Sequence, residues 1–488
     1  LGNLPTALTF FEEYNRLEKE LHEAYPQNVD FKNGLATSYS KLGETHTALG
    51  NLPKALDSYG MTNQMMKELY EAYPGVNVSF KNGLAISYSK LGSTHTALGN
   101  LPTALTFFEE YNRLEKELHE AYPQNVDFKN GLAISYYNLG KTHTALGNLS
   151  KALTFFEKDI ELSKELHEAY PQNVSFKSGL AISYEELGST HTALGNLSKA
   201  LTFFEEYNRL EKELHEAYPQ NVDFKNGLAI SYEKLGETHT ALGNLPKALT
   251  FFEDETKLFE ELHEAYPQNV DFKNGLAISY YKLGAFSRDQ LKDLARAKSY
   301  FQQAEQLWVE LVRDAPDYEQ FKRFLDILRR EMAALYHATD PIYQRIQNEP
   351  DTLAKYQLYT ELCDSLRRRA AHDPVQKPAF ADALNNRAWT GFFLKKFAAI
   401  EDDIREGLAL DTENKFLRSN LAPALLLQGK TAEAHAEYEK WKDMAFLPPN
   451  YPTYREAFLD DLNAFEAAGI IPPERKADVA AARGLLKR

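Results

Sequence analysis

Residues 232–252 read YEKLGETHTALGNLPKALTFF. Two helix signals of opposite kind lie inside this stretch: Gly243, free to end a helix, and Pro246, suited to a first turn. The stretch is also copied. The segment Gly-Asn-Leu-Pro/Ser-x-Ala-Leu starts at Gly2, Gly50, Gly99, Gly147, Gly195 and Gly243, in steps of 48, 49, 48, 48 and 48. The extra residue lies in the second copy's connector, where Pro74-Gly75-Val76-Asn77-Val78 replaces Pro-Gln-Asn-Val. Phe31, Phe80, Phe128, Phe176, Phe224 and Phe272 keep the same phase. A fixed period of this size predicts a solenoid, whose units bury their apolar faces against one another. It replaces the roughly three globular domains that 488 residues would otherwise suggest.

Each unit reads as two helices. The first runs from about Asp30 to Leu49, with Leu35, Tyr39, Leu42, His46 and Leu49 on one stripe. The residue before its phenylalanine is always Asp or Ser (Asp30, Ser79, Asp127, Ser175, Asp223, Asp271), which predicts an N-cap there. The second helix runs from about Leu4 to Tyr25, with Ala7, Phe10, Tyr14, Leu17, Leu21 and Ala24 on its stripe, Pro5 in its first turn and Pro26 ending it.

Composition narrows the function classes. The chain is 43% hydrophobic and 26% charged, which excludes a collagen or a wholly disordered chain. Its only cysteine is Cys363, so no intramolecular disulfide forms and a reducing, cytoplasmic setting fits. There is no apolar run of about 18 residues, so no membrane span is expected. The 70 acidic residues outnumber 55 basic ones, a net charge of −15 that argues against nucleic acid as a partner.

Tyr232, Leu235, Gly236, His239, Gly243, Ala248 and Phe252 have the spacing of the tetratricopeptide signature, and the unit resembles that family in lengthened form. The resemblance implies an all-α, right-handed superhelical α-solenoid of antiparallel helix pairs, with a divergent helical C-terminal region. Gly236 and Ala248 would then lie at close helix crossings, with His239 where the family often has Tyr. The strong repeats cover residues 1–315. Residues 316–385 are helical in pattern but have drifted. Residues 386–443 hold units of near-standard length, around Asn420, Gly429, Ala434, Tyr438 and Trp441. Residues 444–488 read as a helical cap punctuated by Pro448-Pro449 and Pro472-Pro473. Long, near-identical units also resemble those of bacterial multidomain proteins, where such arrays accompany NTPase or caspase-like domains. This chain carries neither the phosphate-loop motif nor the dinucleotide fingerprint. Leu1 corresponds to Leu49, so the first unit lacks its first helix and the sequence reads as a fragment of a longer protein.

The chemical candidates are few. Ten of the 13 histidines belong to the repeat, in Thr-His-Thr (His46, His95, His143, His191, His239) or Leu-His-Glu (His22, His119, His167, His215, His263). One histidine per unit, some 10 Å from the next, cannot share an ion with it, so packing is expected and neither a metal nor another cofactor. The others are His337, His372 and His435. Cys363 with His372 could form a nucleophile and base, but Cys363 lies in the apolar pattern Tyr359, Leu362, Leu366, where a small core residue is expected. Glu12-Glu13, Glu205-Glu206, Arg329-Arg330 and Arg367-Arg368-Arg369 read as solvated helix faces.

Variation among copies points to a face. The residue after Ser-Tyr is Ser40, Ser89, Tyr137, Glu185, Glu233 or Tyr281; four residues on come Glu44, Ser93, Lys141, Ser189, Glu237 and Ala285. Such pairs share one helix face, and these positions resemble the ligand-facing ones of the tetratricopeptide groove. The position between them varies too (Lys41, Lys90, Asn138, Glu186, Lys234, Lys282). The reading is a non-enzymatic scaffold or sensor arm that takes a protein or peptide, with basic residues answering Glu185, Glu233 and Glu237. Two alternatives stand: a structural spacer or assembly module without a ligand, and an enzyme with its site in 316–385 or in a missing N-terminal part. The second-helix window Tyr14-Asn15-Arg16, which becomes Thr62-Asn63-Gln64, Asp159-Ile160-Glu161 or Glu255-Thr256-Lys257, reads as drift at exposed sites.

Overall fold

A computed structural model describes residues 3–73, 78–372, 376–412, 414–447 and 451–487, with the side chains of 333 and 336–339 excepted. The second copy's odd connector, Pro448-Pro449 and the His337 side chain lie outside these residues. The chain forms two compact units, Leu1–Ala265 and Tyr266–Arg488.

The first unit is a run of antiparallel helix pairs. Its second helices are α1 (Leu4–Ala24), α3 (Leu52–Ala72), α5 (Leu101–Ala121), α7 (Leu149–Ala169), α9 (Leu197–Ala217) and α11 (Leu245–Ala265). Its first helices are α2 (Val29–Ala48), α4 (Val78–Ala97), α6 (Val126–Ala145), α8 (Val174–Ala193) and α10 (Val222–Ala241). The first helices begin two residues earlier than the Asp/Ser rule predicts, because the cap is the connector asparagine. Asn28 is extended (φ −81°, ψ 116°), and its side chain accepts from Asp30 N at 2.9 Å and Phe31 N at 3.2 Å. Asp30 instead sits in the first turn, where a negative charge suits the helix dipole. Gly50 ends the helix at φ +73°, with Gly50 N donating to Thr47 O and Asn51 N to His46 O, a Schellman closure.

Packing follows from the small residues. A Cβ on Gly140 or Gly236 would lie 2.5 or 2.7 Å from the ring of Phe156 or Phe252, so the ring occupies the space that glycine leaves. Ala152 and Ala248 are fully buried beside them. The core ring is the second phenylalanine of each Phe-Phe pair, not the Phe10 position named on the predicted stripe: Phe108 is buried, and Phe10 itself is 71% exposed. The first phenylalanine of the pair covers the Thr-His-Thr histidine, as in Phe251 stacked on His239 at 5.5 Å and 3°. Between neighbours, Lys32–Glu68, Lys81–Glu117, Lys129–Glu165, Lys177–Glu213 and Lys225–Glu261 repeat one ion pair at 2.5–2.9 Å.

The first two positions of the second-helix window are interior, which corrects the reading of exposed drift there, while the third (Arg16, Gln64, Glu161, Lys257) is exposed. Tyr111, Asp159, Ile160, Tyr207, Glu255 and Thr256 are all buried. Asn15, Asn63, Asn112 and Asn208 each donate to the first-helix serine (Ser38, Ser87, Ser135, Ser231) at 2.7–2.9 Å. Where Ile160 replaces the asparagine, Asp159 accepts from Ser183 at 2.8 Å instead. The residues change while the buried hydroxyl stays bonded.

The second unit continues with α12 (Val270–Asp289), α13 (Leu294–Asp314), α14 (Glu319–Thr339), the short α15 (Pro341–Gln347), α16 (Thr352–Ala370), α17 (Gln376–Phe393), α18 (Phe397–Leu410), α19 (Lys415–Gln428) and α20 (Thr431–Trp441). An unanticipated antiparallel hairpin follows, β1 (Ala445–Leu447) with β2 (Tyr451–Thr453), then α21 (Tyr454–Ala467) and α22 (Lys476–Leu486). Phe392, Tyr438, Phe458 and Phe465 centre its C-terminal core.

Candidate functional site

The first helices of the first unit lie side by side and carry the variable positions on one face. Ion pairs run from one to the next. Glu44 of α2 pairs with Lys41 at 3.0 Å and with Lys90 of α4 at 3.5 Å. Lys141 of α6 bonds Glu186 of α8 at 2.7 Å, and Glu185 of α8 reaches Lys234 of α10 at 3.9 Å. The structure thus gathers Tyr137, Lys141, Glu185 and Glu233 into one charged patch over α6, α8 and α10. Partial burial pushes Glu185 above the usual carboxylate range against the pull of Lys234, with Glu186 and Glu233 adding to the rise. Burial pulls Lys141 down, but its bond to Glu186 outweighs that and leaves it raised. Burial raises Tyr137 as well, its ring 6.3 Å from Phe156.

The remaining predicted residues are placed differently. Glu44 joins Lys41 and Lys90 at the other end of the array. Ser40, Ser89 and Ser189 are half-buried, and Ser93 and Glu237 are exposed on the same face. Tyr281 belongs to the second unit. There its hydroxyl donates to Glu331 at 2.6 Å and its ring packs on Phe301 and Trp308.

Sequence reasoning missed an aliphatic row on this face. Ile86, Ile134 and Ile182 are 45%, 43% and 42% exposed. Each lies three and seven residues before the two variable positions, hence on their stripe. The signal was available: an apolar residue kept off the core periodicity in copy after copy. Lys90, Glu186 and Lys234, seen in the sequence only as varying, are the partners of the predicted residues.

The chemical candidates have structural roles. Cys363 is fully buried and its thiol is pushed up to about 12 by burial, so it stays protonated, while His372 is exposed at the end of α16. Burial lowers His143, His191 and His239 in their stacks on phenylalanine. Arg329 pairs with Glu305, Arg367 with Glu406 and Asp364, and Arg369 with Asp340.

Residues 132–169, which span most of α6 and all of α7, match the tetratricopeptide repeat family model. The 48-residue unit is a tetratricopeptide repeat. The other copies keep its Gly-Asn-Leu-Pro/Ser-x-Ala-Leu segment at the same spacing. Among solved structures the chain is similar to BtubC (BKLC) from P. vanneervenii, at 16% identity over 54% of this chain and 93% of that one, TM-score 0.43. It is similar to the putative kinesin light chain of nearly identical TPR-like repeats from Podosopora anserina, at 14% identity, 47% and 96% coverage and TM-score 0.35. It is also similar to YrrB, described as a TPR protein with an unusual peptide-binding site, at 16%, 49% and 91%, TM-score 0.30. No curated protein matches the sequence. No helix among the described residues is long and apolar enough to cross a membrane.

Proposed function

We propose that the chain is a non-enzymatic scaffold that binds a protein or peptide along the first-helix face of its tetratricopeptide array. The observation that carries this reading is the exposed row Ile86, Ile134 and Ile182, which the core does not need and which flanks the variable positions. Branched aliphatic side chains held in water at a fixed spacing suit an extended or helical segment that buries them in turn. The acidic excess around Glu185, Glu186, Glu233 and Glu237 favours a segment that carries Lys or Arg. Affinity capture with the intact chain, read by mass spectrometry, should recover a partner that Ile134→Asp/Ile182→Asp loses. Glu233→Lys/Glu237→Lys should weaken its binding and flatten the salt dependence. A partner retained equally by both variants refutes the face assignment.

The cross-copy ion pairs favour a second reading, an array that serves as a spacer. Charges that answer one another inside the molecule leave less for a ligand. On that reading the same capture returns nothing that depends on the isoleucines.

A further inference from the structure

The copies of the array are nearly interchangeable. Residues 4–36 and 101–133 are identical, and 197–229 differ from them only at Ser198 and Lys199. The Lys32–Glu68 type of ion pair recurs between every two neighbours of the first unit, so it holds in any order of copies. A chain of such copies has many near-native ways to stack wrongly, within one molecule or by exchange with another.

The variable charges do distinguish neighbours. At one contact between successive first helices the acid comes first, Glu44 with Lys90; at another the signs are swapped, Lys141 with Glu186. Where Ser93 and Ser189 stand in the first position, no charge is presented; the sequence partner of Ser93 is neutral Asn138, and Lys234, the partner of Ser189, is answered by Glu185. Two kinds of wrong neighbour break this matching. Skipping the fourth copy would set Lys141 against Lys234, and skipping the second and third would set Glu44 against Glu186.

We infer that these first-helix charges are a partial neighbour key: Glu44 and Lys141 attract the copy that follows them and repel a copy of like charge, which favours one register among near-identical repeats. A sign swap between two equivalent contacts is the mark of residues matched to each other. Pairs of this exposure add little to overall stability, but a choice between registers needs only the difference between attraction and repulsion.

The test uses the full chain refolded from denaturant, with native monomer separated from exchanged oligomers and misfolded species by size-exclusion chromatography and limited proteolysis. Lys141→Glu, which opposes Glu186, should lower the ratio of native monomer to misassembled chain by about fivefold, the scale of one surface pair. Adding Glu186→Lys should restore the wild-type ratio, although each substitution alone is disfavoured. The control Lys141→Ser, which removes attraction without adding repulsion, should fall between. A Lys141→Glu chain that refolds to the wild-type ratio, or a double variant no better than the single, overturns the inference.

Discussion

Glu115 is 2% exposed in the interior of α5, its carboxylate against Gly131 of α6, where a Cβ would lie 2.4 Å from Oε2. Burial pushes its pKa from 4.5 up to about 7. In the unfolded chain it ionises near 4.5, so between about pH 4.5 and 7 the unfolded state binds fewer protons than the folded state. Stability must therefore fall as pH rises through that window and level off above it. A rise of about 2.5 pKa units corresponds to about 3 kcal/mol at pH 8, a ceiling for this one group. Glu115→Gln keeps the shape and removes the titration. The variant should match wild type near pH 4.5 and exceed it by up to about 3 kcal/mol at pH 8. Glu211, raised to about 7 by burial with Glu185 adding to it, should behave alike; Glu115 is the cleaner case because burial alone shifts it. The assay is guanidinium denaturation at pH 5, 6, 7 and 8, comparing midpoints at equal slopes. The histidines that titrate in the same range are common to both chains and cancel. A stability difference that stays constant with pH, or a variant less stable at pH 8, refutes the reasoning.

Other outcomes follow from the same packing. Gly140→Ala places a Cβ about 2.5 Å from the Phe156 ring and should cost about 1–3 kcal/mol in urea denaturation, with Phe156→Leu recovering part of it; additive losses would show that the ring does not fill the glycine's space. His239 is held below its ordinary 6.5 by burial, so the stability it contributes is complete above that value and lost as pH falls below it. His239→Phe should therefore lose less stability than wild type between pH 7 and 5, and equal slopes would contradict this. Cys363, with its thiol pushed up to about 12, should react with a disulfide reagent only as fast as the second unit opens; rapid labelling of the folded chain would refute its burial.

Much of the fold was legible because repetition supplies its own alignment. The period, the helix stops at Gly50 and its copies, and the Gly236–Phe252 and Ala248 crossings required only the copies themselves. What failed turned on choices between adjacent residues of similar chemistry. Asn28 and Asp30 can both cap, and the backbone decides for Asn28 by taking the extended conformation at that position. Phe10 and Phe11 are equally apolar and about 100° apart on the helix; only the glycine across the interface selects the second ring. The interior positions Tyr14 and Asn15 of the second-helix window read as exposed because they vary. The window's polar groups are answered by serines some 23 residues away, a pairing no helical period reveals. Three-residue strands give too short an alternation to stand out, so the hairpin at Ala445–Thr453 went unread.

The two kinds of variation bear on how much recognition the array has left to offer. Inside, Asp159 with Ile160 replaces the Tyr-Asn pair and still bonds the serine; outside, Lys141 with Glu186 replaces Glu with Lys and still forms a pair. Much of what looks like freedom in the sequence is thus matched within the molecule. Over the first five copies the positions at issue carry five acids (Glu44, Glu185, Glu186, Glu233, Glu237) and four lysines (Lys41, Lys90, Lys141, Lys234). The excess is concentrated in the fourth and fifth copies, which carry four of the acids and one of the lysines, Lys234, although Glu186 is paired with Lys141 of the third. A basic ligand would therefore be steered to that end, while the isoleucines of copies two to four supply an apolar row that reaches it at Ile182. This division predicts a modest salt slope, worth one or two charges rather than five, and an affinity that depends more on Ile134 and Ile182 than on any single glutamate. A steep slope with no effect of the isoleucines would place recognition on charge alone and remove the aliphatic row from the site.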